Sequence, residues 1–397
     1  MNYEKRFREI REFLKTHDYL YQEEMLLRFD HPIPSPYKEW CDDLSKLSYS
    51  ELMAIENNHQ TSNLKNEEFI NFIIKIKELI YVERLDIEEV KLDHFLTRKM
   101  NKKKQHEIQT LKSIIDKNKE INTFIDIGSG AGHLSLALVH NQNKKSYCVD
   151  LNSNFQKIGI DKIKRWCPEN IDKINFVNLE IKPQAEFPFN YIKKNTMILG
   201  LHSCGALSTE IIKLKFPHLL NFGCCYHKLN DEYNISQVAK LEPLIFSNHA
   251  LTLAAKSQPT ISDETVAKKI LVKKYRYALH LYLKENMNLD FTSIGNTHKD
   301  DYKLDFAQYA LKYCKLISEE EIHKLNDFYE KNIKKIELII KSGTLRALLS
   351  RLIELYIIFD RAVYLIENNV DIKVLEIFKK SLSPRNIGII SKSLLSD

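Results

Sequence analysis

Three observations predict an α/β fold: a doubly wound parallel sheet carrying an N-terminal all-helical region and a helical insertion. Glycine is scarce, 10 in 397 residues, yet three glycines fall within five positions from Gly128 to Gly132. They stand between an apolar run and the start of a helix, the arrangement of a buried strand ending in a tight turn. From about residue 100 to 230, short apolar runs alternate with helical segments, which is the pattern of strands joined by crossover helices. Near the end, a long amphipathic helix precedes two more short apolar runs.

Taken in order, residues 1–99 contain no glycine. They show helical periodicity in YEKRFREIREFLKTHDYL and NEEFINFIIKIKELIYVERL, broken by HPIPSPY. This stretch reads as a helical cap. Residues 100–230 supply five strands, at 124–127, 146–150, 174–179, 196–201 and 219–225. Residues 231–335 are helical and charged, as in TVAKKILVKKYRYALHLYLKEN, and read as an insertion. Residues 336–397 return to the sheet domain: LRALLSRLIELYIIFDRAVYLIEN is a helix, and VDIKVLEIF and NIGIISKS are strands separated by KKSLSPR. With those two strands the sheet has seven.

Composition narrows the class. A hydrophobic content of 44% over 397 residues suffices for a large core and more than one folding unit. Seven Cys from Cys41 to Cys314, an N-terminal MNYEKRFREI without an apolar leader, and no apolar run of spanning length lead us to expect free thiols in the cytoplasm or nucleus. The net charge of +6 would suit an anionic partner, but the basic residues are spread along the chain and carry little weight.

The glycine turn is not a nicotinamide fingerprint. G-x-G-x-x-G would need glycine at 133, where His133 stands, and counting from Gly130 would need Gly or Ala at 135, where Ser135 stands. What is present is D-x-G-x-G-x-G, the first motif of Rossmann-like methyltransferases that use S-adenosylmethionine. Asp126, Gly128, Ser129, Gly130 and Gly132 are its members here. SYCVDLN then ends an apolar strand in Asp150, at the distance where an acidic residue accepts hydrogen bonds from ribose hydroxyls. Asn178, closing the third strand, stands where an adenine edge would lie.

Four segments in order, MNKKKQHEI, DIGSGAGHLS, GLHSCGALS and FGCCYHKL, resemble the methyltransferase-like protein 25 family, as do DFAQYALKY and LSPRNIGIISK further on. The resemblance runs from about residue 100 to the end and implies a seven-stranded, Rossmann-like S-adenosylmethionine domain. The H-x-C-G and C-C-Y-H elements also resemble tRNA 2′-O-methyltransferases that act on the acceptor stem. On the family match, Lys104, His106 and Glu107 come near the cofactor's amino-acid end. Arg385 either positions an anion or bridges within its turn.

Chemistry in an open parallel sheet belongs at the carboxyl ends of its strands. The fourth strand delivers His202, which could take a proton near neutral pH, and the fifth delivers Tyr226, whose ring could face a sulfonium. These two are the expected catalytic residues. Cys204, Cys224 and Cys225 gather nearby, but strand alternation sends Cys224 and Cys225 to opposite faces, so no metal is expected. No Asn-Pro-Pro-Tyr motif follows the fourth strand, which disfavours base N-methylation. The acceptor is left open among RNA, protein and small molecules. A catalytically silent cofactor-binding scaffold, or an RNA-binding protein with this fold, is the alternative.

Overall fold

The computed structural model describes residues 2–182, 186–229, 233–256, 263–290, 295 and 297–395. The apolar run before the glycine turn is β1 (Thr123–Ile127), buried at every residue but the first. β2 (Lys145–Asp150), β3 (Ile174–Asn178), β4 (Thr196–Cys204) and β5 (His218–Cys224) follow, then β6 (Ile372–Glu376) and β7 (Ile387–Ser391). All seven form one sheet in the order β3-β2-β1-β4-β5-β7-β6. The first five pair in parallel, and β7 runs antiparallel to both β5 and β6, so the expected seven-stranded sheet is present as a mixed one.

This order has a functional consequence. From β1 the chain winds outward through β2 and β3, then returns to β4 and winds the other way. The reversal between β1 and β4 opens a crevice at their carboxyl ends, the usual ligand position in such sheets. The glycine turn leaves β1 there, and His202 to Cys204 end β4 beside it.

The sheet core is continuous. Leu111 and Ile114 of the helix Lys102–Ile115, Leu136 and Leu138 of the helix His133–Val139, and Phe124, Leu199, Leu220 and Phe222 of the strands form one buried cluster. The outer edge at β6 is covered as well. The hydroxyl of Tyr3 accepts from the Val374 amide, and residues 83–85 exchange backbone hydrogen bonds with Glu376. Covering an edge in this way blocks strand addition by another chain.

Contacts divide the chain into two compact units: residues 1–16, 79–259 and 351–397 in one, 17–78 and 260–350 in the other. The helix Tyr3–Thr16 goes with the sheet unit because its apolar face is claimed there. Phe7 meets Tyr356 at a ring separation of 4.7 Å, and Tyr3 meets Phe359 at 5.8 Å. The second unit is helical among the described residues. Trp40 stacks on Phe69, and Tyr275 packs among Phe306, Tyr309 and Tyr329. No described helix is long and apolar enough to cross a membrane.

Candidate functional site

Three alternate residues of the turn, Gly128, Gly130 and Gly132, have φ of 72°, 56° and 66°, which is why side chains are excluded at this spacing. Their surroundings differ. A Cβ on Gly132 would meet Cys148 Sγ at 3.1 Å and the Phe176 ring at 3.2 Å, whereas one on Gly130 would meet nothing within 4 Å. Gly132 is therefore packed against the sheet, and Gly130 faces open space.

Asp150 clasps that open residue. Its Oδ2 accepts the Gly130 amide at 2.8 Å, and its Oδ1 accepts the Asn152 amide at 2.8 Å. Asn178 donates to the carbonyls of Leu151 at 2.8 Å and Asp150 at 3.3 Å, tying the tip of β3 to that of β2. Beside them Leu151 is 63% exposed, an apolar surface next to an acidic strand end. Sequence reading passed over Leu151, because one leucine after an aspartate carries no periodic signal.

Asp126 and Ser129 lie deeper. Asp126 is buried, and its carboxylate accepts the Ser135 hydroxyl at 2.8 Å, while Ser146 donates to Ser135 at 2.9 Å. Burial pushes the Asp126 carboxyl up to about 6. It ties β1 to the first turn of the helix that follows the glycine turn. Ser129 is also buried, its amide spent on the Val149 carbonyl. His133, which opens the following helix, is held neutral by burial, its pKa pushed down to about 3 with Lys162 and Lys104 adding.

Across the crevice, the register of β4 against β5 shifts between Leu201 and Ser203. His202 sits at that irregularity with φ of 60°, and bulges of this kind re-aim a side chain. Its Nε2 lies 2.8 Å from Glu107 Oε1. Glu107 is 2% exposed and also accepts the Ser383 hydroxyl at 2.6 Å. Burial alone would raise the Glu107 carboxyl, but His202, Ser383 and Lys103 together hold it below the ordinary range. With Nε2–H donating to a carboxylate, Nδ1 of a neutral His202 is the acceptor nitrogen. A Cβ on Gly128 would lie 3.4 Å from Leu207 Cδ2, so the chain leaving β4 abuts the glycine turn.

Two of the other candidate residues are engaged within the chain. His106 Nε2 accepts the Lys379 amide at 2.9 Å. Arg385 donates to Glu354 at 3.0 Å and to the Ala254 carbonyl at 2.9 Å. Lys104 lies close enough to Asp126 to favour its charged form.

Tyr226 is not brought into the crevice with His202. It is 1% exposed, and its hydroxyl lies 3.4 Å from both the Gly223 carbonyl and Glu354. Arg361 and Arg385 flank its ring at 5.9 and 6.0 Å. Glu354 is in turn held by Arg351 at 2.6 Å, in a buried ion network on the helix Ser350–Glu367. The reason is local: β5 ends at Cys224, and a turn of 3-10 helix, Tyr226–Lys228, folds the tyrosine inward.

The same turn overturns the alternation expected of Cys224 and Cys225. Cys225 is no longer in the strand; its φ of 51° and ψ of 47° turn its side chain back toward Cys204. Cys204 Sγ is 3.2 Å from Cys224 Sγ and 3.4 Å from Cys225 Sγ. The hydrogen bond with Cys224 holds the Cys204 thiol well below the ordinary range.

Residues 103–232 match the family model of a methyltransferase domain. The match spans β1 to β5, the glycine turn, Asp150, the His202–Glu107 pair and the cysteines. A methyltransferase domain thus occupies the parallel part of the sheet.

Proposed function

We propose that the chain is an S-adenosylmethionine-dependent methyltransferase, with the cofactor held by the turn Gly128 to Gly132 and by Asp150, Leu151 and Asn178. The observation that carries this reading is the Asp150–Gly130 clasp at the strand-order reversal. It leaves an acidic group, an open glycine and an exposed apolar side chain side by side. Those three features fit a ribose diol, a close backbone approach and a flat base. S-adenosylmethionine, when bound, supplies a methyl group on a cationic sulfur.

The chain's own residues have two tasks. Asp150 and the turn hold the cofactor in one orientation, and most of the rate gain in an in-line displacement comes from such positioning. His202 faces the same crevice from β4, with Glu107 fixing its tautomer, and its Nδ1 can take the proton an acceptor releases. Tyr226, which the sequence suggested as a second catalytic group, is assigned to the buried network around Glu354. Asp126 and Ser129 support the turn rather than touch the ligand.

On the ordered segments described above, we place the chain with the methyltransferase-like protein 25 family, acting in the cytoplasm or nucleus. RNA is the favoured acceptor, by the local resemblance of the His-x-Cys-Gly and Cys-Cys-Tyr-His elements to acceptor-stem methyltransferases. The test is to incubate purified protein with methyl-labelled S-adenosylmethionine and, separately, RNA, protein and small-molecule fractions of a cell extract. Label in the RNA fraction, lost in His202→Ala, is the expected result. Label confined to another fraction would overturn the RNA assignment. Cofactor binding without label anywhere would favour a silent scaffold.

A further inference from the structure

We propose that Cys204, Cys224 and Cys225 form a binding site for one soft divalent cation, Zn²⁺ by chemistry, with three thiolate ligands and an open fourth position. Among the described residues, these three sulfurs are the one group of potential ligands that all lie within 4.8 Å of one another. The inference stands on this geometry alone and does not depend on the cofactor reading.

The cluster is built by the backbone. Cys204 and Cys224 are register partners at the ends of the neighbouring parallel strands β4 and β5. Cys225 joins them through its left-handed conformation. His202 and Gly205, on the β4 side, also have positive φ, of 60° and 54°. A Cβ on Gly205 would lie 2.4 Å from the Lys228 carbonyl oxygen, so the two loops are pressed together and only glycine fits. The Gly205 amide donates to the Cys224 carbonyl at 3.0 Å, fixing one cysteine-bearing loop to the other. Left-handed non-glycine residues are strained, and such strain concentrates at functional sites.

Sulfur spacing favours an ion over the alternatives. Three thiolates about 2.3 Å from a tetrahedral Zn²⁺ stand about 3.8 Å apart. The Cys204–Cys224 and Cys204–Cys225 separations, 3.2 and 3.4 Å, fall about half an ångström short of that spacing, a shift that side-chain rotation supplies. Weak S–H contacts are too feeble to hold three thiols together against backbone strain. A Cys204–Cys224 disulfide would account for two sulfurs and leave Cys225 turned inward without a reason. Thiolates select Zn²⁺ and similar soft ions over Mg²⁺ or Ca²⁺. Exposed Cys204 provides the entry path, and water takes the fourth position.

The test uses the full chain, reduced and stripped of metal, titrated with Zn²⁺ against a chromogenic chelator. One ion per chain at submicromolar affinity is expected, with a loss of about a hundredfold or more in Cys204→Ser or Cys225→Ser, and no change in Cys314→Ser. Because a serine variant can misfold, the unmodified chain is also tested. Bound Zn²⁺ should protect Cys204, Cys224 and Cys225 together from alkylation, read by peptide mass, and Cd²⁺ should give thiolate charge-transfer absorption for three sulfurs. No binding at micromolar Zn²⁺, protection of other cysteines instead, or binding that survives both substitutions would overturn the proposal.

Discussion

Glu107 and His202 stand 95 positions apart in the chain, yet Glu107 Oε1 and His202 Nε2 are 2.8 Å apart across the crevice wall. One lies on the helix that leads into the sheet, the other at the irregular tip of β4. A buried carboxylate that orients a half-buried histidine leaves the opposite ring nitrogen available to a ligand.

If this pair serves proton transfer, His202→Ala should lower methyl transfer by about a hundredfold or more, and Glu107→Gln by about tenfold, with cofactor affinity little changed. The Glu107 carboxyl is lowered in the folded chain, so its stabilising contribution is present above about pH 4.5 and is lost as pH falls. Denaturant melts of Glu107→Gln should therefore show a flatter stability curve below pH 4.5 than the parent chain. An equal decline in both would remove the ion pair from consideration.

Tyr226→Phe separates packing from chemistry. Its hydroxyl contacts are long, 3.4 Å, and Glu354 keeps both arginine partners. Methyl transfer should stay within about twofold, with a stability change under about 1 kcal/mol. A large rate loss in a fully folded variant would return Tyr226 to the catalytic group.

Much of this was legible beforehand. The strand runs, the glycine turn, Asp150 and the late strand pair are local signals: apolar runs of strand length bounded by turn residues. The partnership of His202 with Glu107 was not, since a tertiary contact leaves no local pattern. Cys225 misled for the opposite reason. Alternation is reliable only inside a strand, and β5 ends one residue earlier than its apolar run suggests. The helix Tyr3–Thr16 reads as part of a helical cap, and it is tertiary contacts, the aromatic pairs with the helix Ser350–Glu367 and the Tyr3–Val374 hydrogen bond, that place it in the sheet unit.

Asp126 makes a pH prediction of opposite sign. Its carboxyl rises from 3.8 to about 6 on folding, so the protonated form is favoured and stability is lost as pH rises from about 4 to 6. Asp126→Asn removes that loss and keeps an acceptor for Ser135. Urea melts should find the variant about 1–3 kcal/mol more stable than the parent at pH 7.5 and nearly equal at pH 4. Lower stability at pH 7.5 would show that the charge is favourable where it lies.

The two glycine positions should respond differently. Gly130→Ala meets no neighbour and bears only the left-handed strain of about 1–2 kcal/mol, while closing the open face and weakening cofactor binding. Gly205→Ala drives a methyl into the Lys228 carbonyl and should cost more than about 3 kcal/mol. Thermal melts of both variants, with S-adenosylmethionine titrations of the first, check the contrast. Similar losses in the two would contradict the packing described.

Calorimetric titration of S-adenosylmethionine, and of its demethylated product, into the parent chain and Asp150→Ala tests the cofactor assignment most directly. Losing charge-assisted hydrogen bonds of about 1.5–3 kcal/mol should weaken both ligands by tenfold or more in a variant that melts as the parent does. Unchanged affinity in a folded Asp150→Ala chain, or no binding to the parent chain, would contradict the cofactor site.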